Sequence, residues 1–391
     1  MTVCIKKVCE YNVAKIQQSL YQSLELINFK LIPEKKEGAP LAAVLKPNIV
    51  MPAKPSTAIV THPAIVEATI NLLRDAGIFD ISIVEEPAIG IDVQKSFQVS
   101  GYTELAKRMG VSIYGFDDLE KVEIEWPYGK LSIPRIFLHA DLYINLPKIK
   151  THSYTTVTLS IKNQKGLVSS QLKKYIHTLG LHKPLIELAK VIQPHLVIMD
   201  GICAMEGEGP TQGKSKKLNA LIVGTNMLEC DIVASHLMGI DPYKVAHLAY
   251  GINEGLGEKE PVLTGDSISS LMKQFASANL EYGRRLNVYA WHNPAACSSC
   301  MNSFHRAIKE AILNPKWWLP FVSRFAWYAL FGKINILQGK NASIPPRLGW
   351  NVCFGTCTHK LAKEKGFAFV PGCPPVVDDV LKCFFRNYSN R

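Results

Sequence analysis

Three segments decide the fold: "DLYINLPKI" (141–149), "HLVIMDGI" (195–202) and "LNALIVGTN" (218–226). Each is a nearly continuous apolar run and reads as a strand that is apolar on both faces. Such strands need cover on both sides, and a mostly parallel sheet with helices on both faces supplies it.

Outward from these runs, the same alternation continues. "TVCIKKV" (2–8), "LAAVLKPNI" (41–49), "FDISIVEEP" (79–87) and "VSIYGF" (111–116) read as strands. "VAKIQQSLYQSLELI" (13–27), "SGYTELAKRMG" (100–110) and "MLECDIVASHLMG" (227–239) read as helices, as does "THPAIVEATINLLRDAG" (61–77), with Thr61 as N-cap and Gly77 as C-cap. The fold class expected is α/β. Its functional loops belong at the carboxyl ends of the strands, and the segments that fit are "KPNIVMPAKP" (46–55), "EEPAIG" (85–90), "LPKIKTHSY" (146–154) and "DGICAMEGEGPTQGK" (200–214).

Composition changes near residue 285. Five of the ten cysteines follow in loops between 297 and 373, and no internal repeat is present. The expected organisation is an α/β domain over 1–284 and a small, irregular, cysteine-rich iron–sulfur domain over 285–391. The start "MTVCIKKVCEYNVAK" carries no long apolar run of the secretory kind, and no uninterrupted apolar run reaches 18 residues. The expectation is a cytoplasmic protein without a transmembrane span, where clustered cysteines point to metal or redox chemistry.

The chain carries 44 Lys and Arg against 33 Asp and Glu, a net charge of +11. That balance favours anionic partners: carboxylated or phosphorylated metabolites, or an acidic electron-transfer protein. A solvated basic surface is the plainer reading. Nucleic-acid binding would rest on charge alone and is not expected.

The cysteines are Cys297 and Cys300 in "CSSC", Cys353 and Cys357 in "CFGTC", and Cys373 in "VPGCPP". Gly355 and Gly372 allow tight turns beside the thiols, and Pro374 follows the last one as in many iron–sulfur runs. A 4Fe–4S cluster takes four thiolates, leaving one of the five surplus. Zinc, which usually binds two short hooks, a redox disulfide and unliganded thiols are the alternatives. Cys4, Cys9, Cys203, Cys230 and Cys383 sit in apolar contexts and read as small core residues.

Within "LPKIKTHSYTTVTLSIKNQKGLV" (146–168), Lys148, Lys150 and His152 leave a buried strand among Asn145, Thr151, Lys162 and Asn163. Two ammonium groups beside hydroxyl and imidazole donors suit a carboxylate or phosphate; a solvated lysine-rich loop is the alternative. Asp200 and Glu206, among Gly207, Gly209 and Gly213, offer a general base or a divalent-ion site, or simply a solvated glycine-rich turn. His62, Glu85 and Glu86 are further cleft candidates, and Asp231 reads as a charge that orients a helix start. "EGPTQGKS" (208–215) nearly matches a P-loop, but Glu208 stands where the first glycine must be and a strand follows instead of a helix. No strict dinucleotide-binding glycine fingerprint follows the first strand.

"LKPNIV", "INLPKIKTHSYTTVTLSIKNQKGLV", "DGICAMEGEGPTQG" and "ECDIVASHLMGIDP" resemble the family named domain of unknown function 362, over about residues 40–257. Many of its members carry an iron–sulfur module, often of ferredoxin type, but this chain lacks the C-x2-C-x2-C-x3-C-P run. Its tail resembles a single-cluster module. "PGCPP" is similar to a cluster-ligand motif in small subunits of nickel–iron hydrogenases and a related subunit of complex I. That resemblance implies Cys297, Cys300, Cys357 and Cys373 as ligands of one 4Fe–4S cluster, with Cys353 surplus.

The combined expectation is a redox protein acting on or binding an anionic small molecule at the strand ends. Lys148, Lys150 and His152 would hold the anion, and Asp200 or Glu206 would handle a proton or a metal. The rivals are a non-redox enzyme using the cluster as Lewis acid or clip, and a non-enzymatic electron carrier or assembly factor. "WWLPFVSRFAWYALFG" (317–332) has helical spacing and suits burial against the core or a second copy in a homodimer, with membrane-surface contact as the alternative.

Overall fold

The computed structural model describes residues 2–32, 40–276, 288–291, 298–318, 327, 330–339, 342 and 349–385. The chain forms two compact units. The first combines Met1–Lys173 with His182–Ala278, the second Lys174–Leu181 with Asn279–Arg391.

The first unit is an α/β fold. Its strands are β1 (Thr2–Lys7), β2 (Ala42–Pro47), β3 (Asp80–Val84), β4 (Ser112–Tyr114), β5 (Lys121–Trp126), β6 (Gly129–Pro134), β7 (Leu142–Leu146), β8 (Lys148–His152), β9 (Thr156–Thr158), β10 (Leu196–Glu206), β11 (Lys214–Gly224) and β12 (Val262–Gly265). The main sheet runs β12-β1-β11-β10-β7-β2-β3-β4, with β8 and β9 attached beside β10, while β5 and β6 form a separate hairpin. Pairing is parallel from β10 through β7, β2, β3 and β4, and antiparallel where β11 meets β10 and β1.

Apolar residues on both strand faces explain this arrangement. Ala43, Leu45, Ile81, Ile83, Leu142, Ile144, Leu196, Ile198, Leu221 and Val223 point into one core, filled from above by Ile16 and Leu20 of the helix Val13–Leu26 and by the helix Pro63–Asp75. Their alternating neighbours Val44, Tyr143, Val197, Met199 and Ile222 are also buried. The helix Met227–Leu237, apolar nearly all round, packs against β1, β10 and β11. A helix without a polar face needs burial on all sides.

Two expected loops are strands. "LPKIKTHSY" contains β8, and the first half of "DGICAMEGEGPTQGK" continues β10 through Glu206. Pro147 interrupts the apolar run without ending the strand path, and a register shift between Gly201 and Cys203 lets β10 bend onward. The cap of Pro63–Asp75 is His62, whose Nδ1 accepts from Ala64 N, rather than Thr61. The helix closes at Ala76, with Gly77 next at φ 82°.

In the second unit, β13 (Val288–Trp291), β14 (Ile334–Gln338), β15 (Trp350–Phe354) and β16 (Ala368–Val370) form a four-stranded parallel sheet beside irregular segments. One face packs Ile334, Ile336, Val352 and Phe354 against the helices Ser298–Leu313 and Val377–Phe385; Leu337 and Cys353 lie in a separate cluster with Ala362. In the aromatic stretch, Trp317 is buried whereas Trp318, Trp327, Leu330 and Phe331 are exposed. Phe321, Val322, Phe325 and Ala329 lie outside the described residues. No helix among the described residues is long and apolar enough to cross a membrane.

Candidate functional site

The carboxyl ends of the parallel strands hold an unusual concentration of buried lysines. Lys46, Lys148, Lys150, Lys162 and Lys173 are all under a tenth exposed. A buried ammonium is stable only when oxygen atoms replace its water. Each lysine meets that demand differently.

Lys148 and Asp200 are register partners across β8 and β10, and both are fully buried. Their side chains pair at 2.7 Å. Asp200 also accepts from the Tyr11 hydroxyl at 2.9 Å, from His62 N at 2.9 Å and from Ile202 N at 3.3 Å. The Tyr11 hydroxyl accepts in turn from Lys148 Nζ and Cys203 N, and its ring stacks on His62 at 3.7 Å. This pair ties four segments together. Burial and the Lys148 charge drive the His62 imidazole down to about 4 despite Asp200.

Lys46, at the end of β2, pairs with Glu85 just past β3 at 2.9 Å. Glu85 accepts further from Ile49 N and Glu86 N. Gly166 makes the arrangement feasible: a Cβ there would overlap Glu85 Oε1 and stand 2.5 Å from Lys46 Nζ.

Among the described residues, Lys150 has no carboxylate partner. Its ammonium donates to Asn48 Oδ1 at 2.6 Å and to Ile59 O at 2.7 Å. Asn48 donates to Asn163, which donates to Asn145, so the acceptor is fixed by an amide chain. Burial, then the Lys148 charge, bring Lys150 down to about 7. Lys173 donates to Glu86 O and Pro87 O, and burial likewise lowers it to about 7.

The remaining candidates are more dispersed. His152 accepts through Nδ1 from Tyr154 N and Thr155 N, which puts its proton on Nε2. Glu206 is partly exposed at the far end of β10, held by Lys216 at 2.6 Å and by Ala276 N. Asp231 caps not its own helix, which Asn226 caps, but the turn Ser160–Asn163: it accepts from Ser160 N, Ser160 Oγ and Ile161 N. Burial raises its carboxyl to about 7. Tyr11, Lys46, Asn48 and Lys173 belong to the polar centre but escape sequence reasoning. A lysine closing the apolar run "AAVLK" was the available signal for Lys46; Tyr11 had none.

In the second unit, Cys297 lies outside the described residues. Around Gly355, Cys300 Sγ and Cys357 Sγ would stand 3.0 and 3.6 Å from a Cβ at that position. Gly355 N donates to Val370 O and Thr356 N to Gly372 O, holding the Cys357 turn beside the segment that leads to Cys373. Cys353 lies on β15 in the cluster with Leu337 and Ala362, apart from the core that contains Cys300. Burial raises its thiol to about 11. Among the described residues, no group of three or more His, Cys, Asp or Glu side chains is set to hold a metal ion.

Residues 43–236 match the family model described as Domain of unknown function (DUF362). A thylakoid-associated protein of Synechocystis sp. is 29% identical over 227 residues, 56% of this chain and 70% of that protein. Among solved structures, the lactate racemase apoprotein from Thermoanaerobacterium thermosaccharolyticum aligns at 14% identity with a TM-score of 0.37, covering 59% of this chain and 56% of its own. A protein from Thermotoga maritima aligns at 10% identity with a TM-score of 0.33, covering 52% and 53%. The chain spans little more than half the length of either structure.

Two outcomes follow from this geometry. Gly166→Ala must displace the Lys46–Glu85 pair, and a broken buried pair costs about 3–5 kcal/mol; urea unfolding will show a matching fall in midpoint. The second outcome concerns pH. His62 at about 4 and His247 at about 3 are depressed in the folded chain by burial. The unfolded chain therefore takes up protons first, and stability falls as pH drops from about 6.5 through these values. Lys150 and Lys173, at about 7 when folded, make stability climb from pH 7 towards 10 by the same logic. Urea midpoints across pH 4–10 will rise through both windows, and Lys150→Met will flatten the upper one.

Proposed function

We propose that this chain is a member of the domain of unknown function 362 family and an iron–sulfur redox protein that binds an anionic small molecule at the strand ends of its α/β unit. The observation that carries the anion site is Lys150: a wholly buried ammonium whose acceptors among the described residues are neutral, beside the two ion pairs of Lys46 and Lys148. The local excess of positive charge favours a ligand carboxylate or phosphate. With a pKa of about 7, Lys150 also exchanges a proton near neutrality, the property wanted of an acid–base group. Lys148 and Asp200, bonded to each other and to Tyr11, act here as positioning residues. His152 binds backbone N–H groups through Nδ1 and carries its proton on Nε2.

Cys297, Cys300, Cys357 and Cys373 would hold one 4Fe–4S cluster. The approach of Cys300 and Cys357 to the Cβ-free face of Gly355 supports this set, because the glycine leaves room where two thiols converge. Burial of Cys353 in the opposite cluster, with its thiol kept protonated, supports leaving it out. Such a cluster supplies single-electron exchange, and an electron-transfer protein is the partner this implies.

Anaerobic purification with iron and sulfide analysis and electron paramagnetic resonance tests the cluster. The expected result is four irons and four sulfides per chain, lost in Cys357→Ser and retained in Cys353→Ser. Zinc without sulfide would overturn it. For the anion site, thermal shifts with a panel of carboxylates and phosphates will show ligand stabilisation in the native chain. Lys150→Met will remove at least tenfold in affinity while keeping the cluster, and unchanged affinity would refute the assignment.

A further inference from the structure

Among the described residues of the first unit, four unpartnered buried polar atoms lie on three neighbouring rings away from Lys150. The Tyr154 hydroxyl, His182 Nδ1 and both ring nitrogens of His247 are buried without a hydrogen-bond partner among the described residues. His247 is completely buried. A buried imidazole with neither nitrogen bonded is costly to keep, so such a group calls for an occupant.

The three rings stand in series. Tyr154 and His182 are 5.4 Å apart at 26°, and His182 and His247 are 6.1 Å apart at 19°. They come from different elements: the turn after β8, the helix His182–Val191 and the helix Ala246–Asn253. The Ser160–Asn163 turn packs on the first of these helices and carries Lys162. Lys162 Nζ has one protein contact, Thr158 Oγ1 at 3.3 Å, and among the described residues it pairs with no carboxylate.

The sign of the surrounding charge selects the occupant. Burial lowers His182, His247 and Lys162 first of all; Lys162 then lowers both histidines further, and Lys165 and Lys150 lower Lys162. The charges that act on these rings and on Lys162 are basic, and the acid of the same turn, Asp231, is taken up by Ser160 N, Ser160 Oγ and Ile161 N, so an anion is favoured over a cation. An ammonium, a phenol and two imidazoles offer several donors to an oxygen-rich anion.

We propose that Tyr154, Lys162, His182 and His247 form a second binding site, for the oxyanion group of a small carboxylate or phosphate. The site is independent of Lys150's contacts to Asn48 and Ile59. Lys162, which a bound anion would hold in its protonated form, supplies the ammonium, and the tyrosine and the two histidines supply directional bonds.

The full chain labelled with 15N-histidine tests this by long-range imidazole NMR spectra, titrated with inorganic phosphate in one arm and acetate in the other. Saturable shifts of the His182 and His247 signals are expected in at least one arm. Response to phosphate alone assigns a phosphate site; response to acetate alone assigns a carboxylate site. Lys162→Met and His247→Phe should each raise Kd at least tenfold, and Lys150→Met, which acts on Lys162 through charge alone, should raise it by less than either. Should His247→Phe fail to fold, Lys162→Met with His182→Gln carries the test. Unmoved imidazole signals in both arms, or unchanged affinity in these variants, would overturn the proposal. Equal loss in Lys150→Met would overturn the independence of the two sites.

Discussion

An ammonium group leaves water only if oxygen atoms are waiting for it, and the first unit of this chain is organised around that demand. Asp200 receives Lys148 because β8 and β10 run in register there. Glu85 receives Lys46 because β3 ends beside β2. Lys150 receives, among the described residues, an amide and a carbonyl oxygen. The sheet order thus determines which lysines are neutralised and which keep an appetite for negative charge. Burial alone would make all of them alike. The distribution of acceptors makes them different.

Much of the sheet was legible because its strands are apolar on both faces, and that pattern has one good solution. β2, β3, β7, β10 and β11 all fall on runs visible in the sequence. Reading failed where polar residues lie inside strands. β8 is "KIKTH", and its lysines and histidine look like a solvated loop until β10 is seen to supply Asp200 opposite Lys148. The same applies to β10 beyond Asp200, where glycine and glutamate mask a continued ladder. Local composition cannot report a partner 52 residues away. The parallel sheet of the second unit was obscured for a different reason: its strands are short and separated by long connections rich in aromatic and basic residues.

The polar centre was half legible. Lys148, Lys150, His152 and Asp200 stand out by position, and Asn145, Lys162 and Asn163 by density. What the sequence does not reveal is their pairing. Lys148 and Asp200, two candidates for separate tasks, satisfy each other, whereas Lys150 is left to neutral acceptors. Tyr11, arriving from the connection between β1 and the first helix, completes the pair without any local mark. Similarly, His182 and His247 are unremarkable in sequence and meaningful only because two helices bring their rings together.

Gly166 shows how far such pairing reaches. It occupies the space beside Lys46 and Glu85, residues drawn from two strands more than eighty positions upstream. These three positions behave as a single unit of inheritance. A lineage that loses the ion pair releases the glycine to drift, and a lineage that gains a side chain at 166 must first discard the pair. Far-apart sites are thereby bound to a shared evolutionary history by the volume of one methyl group.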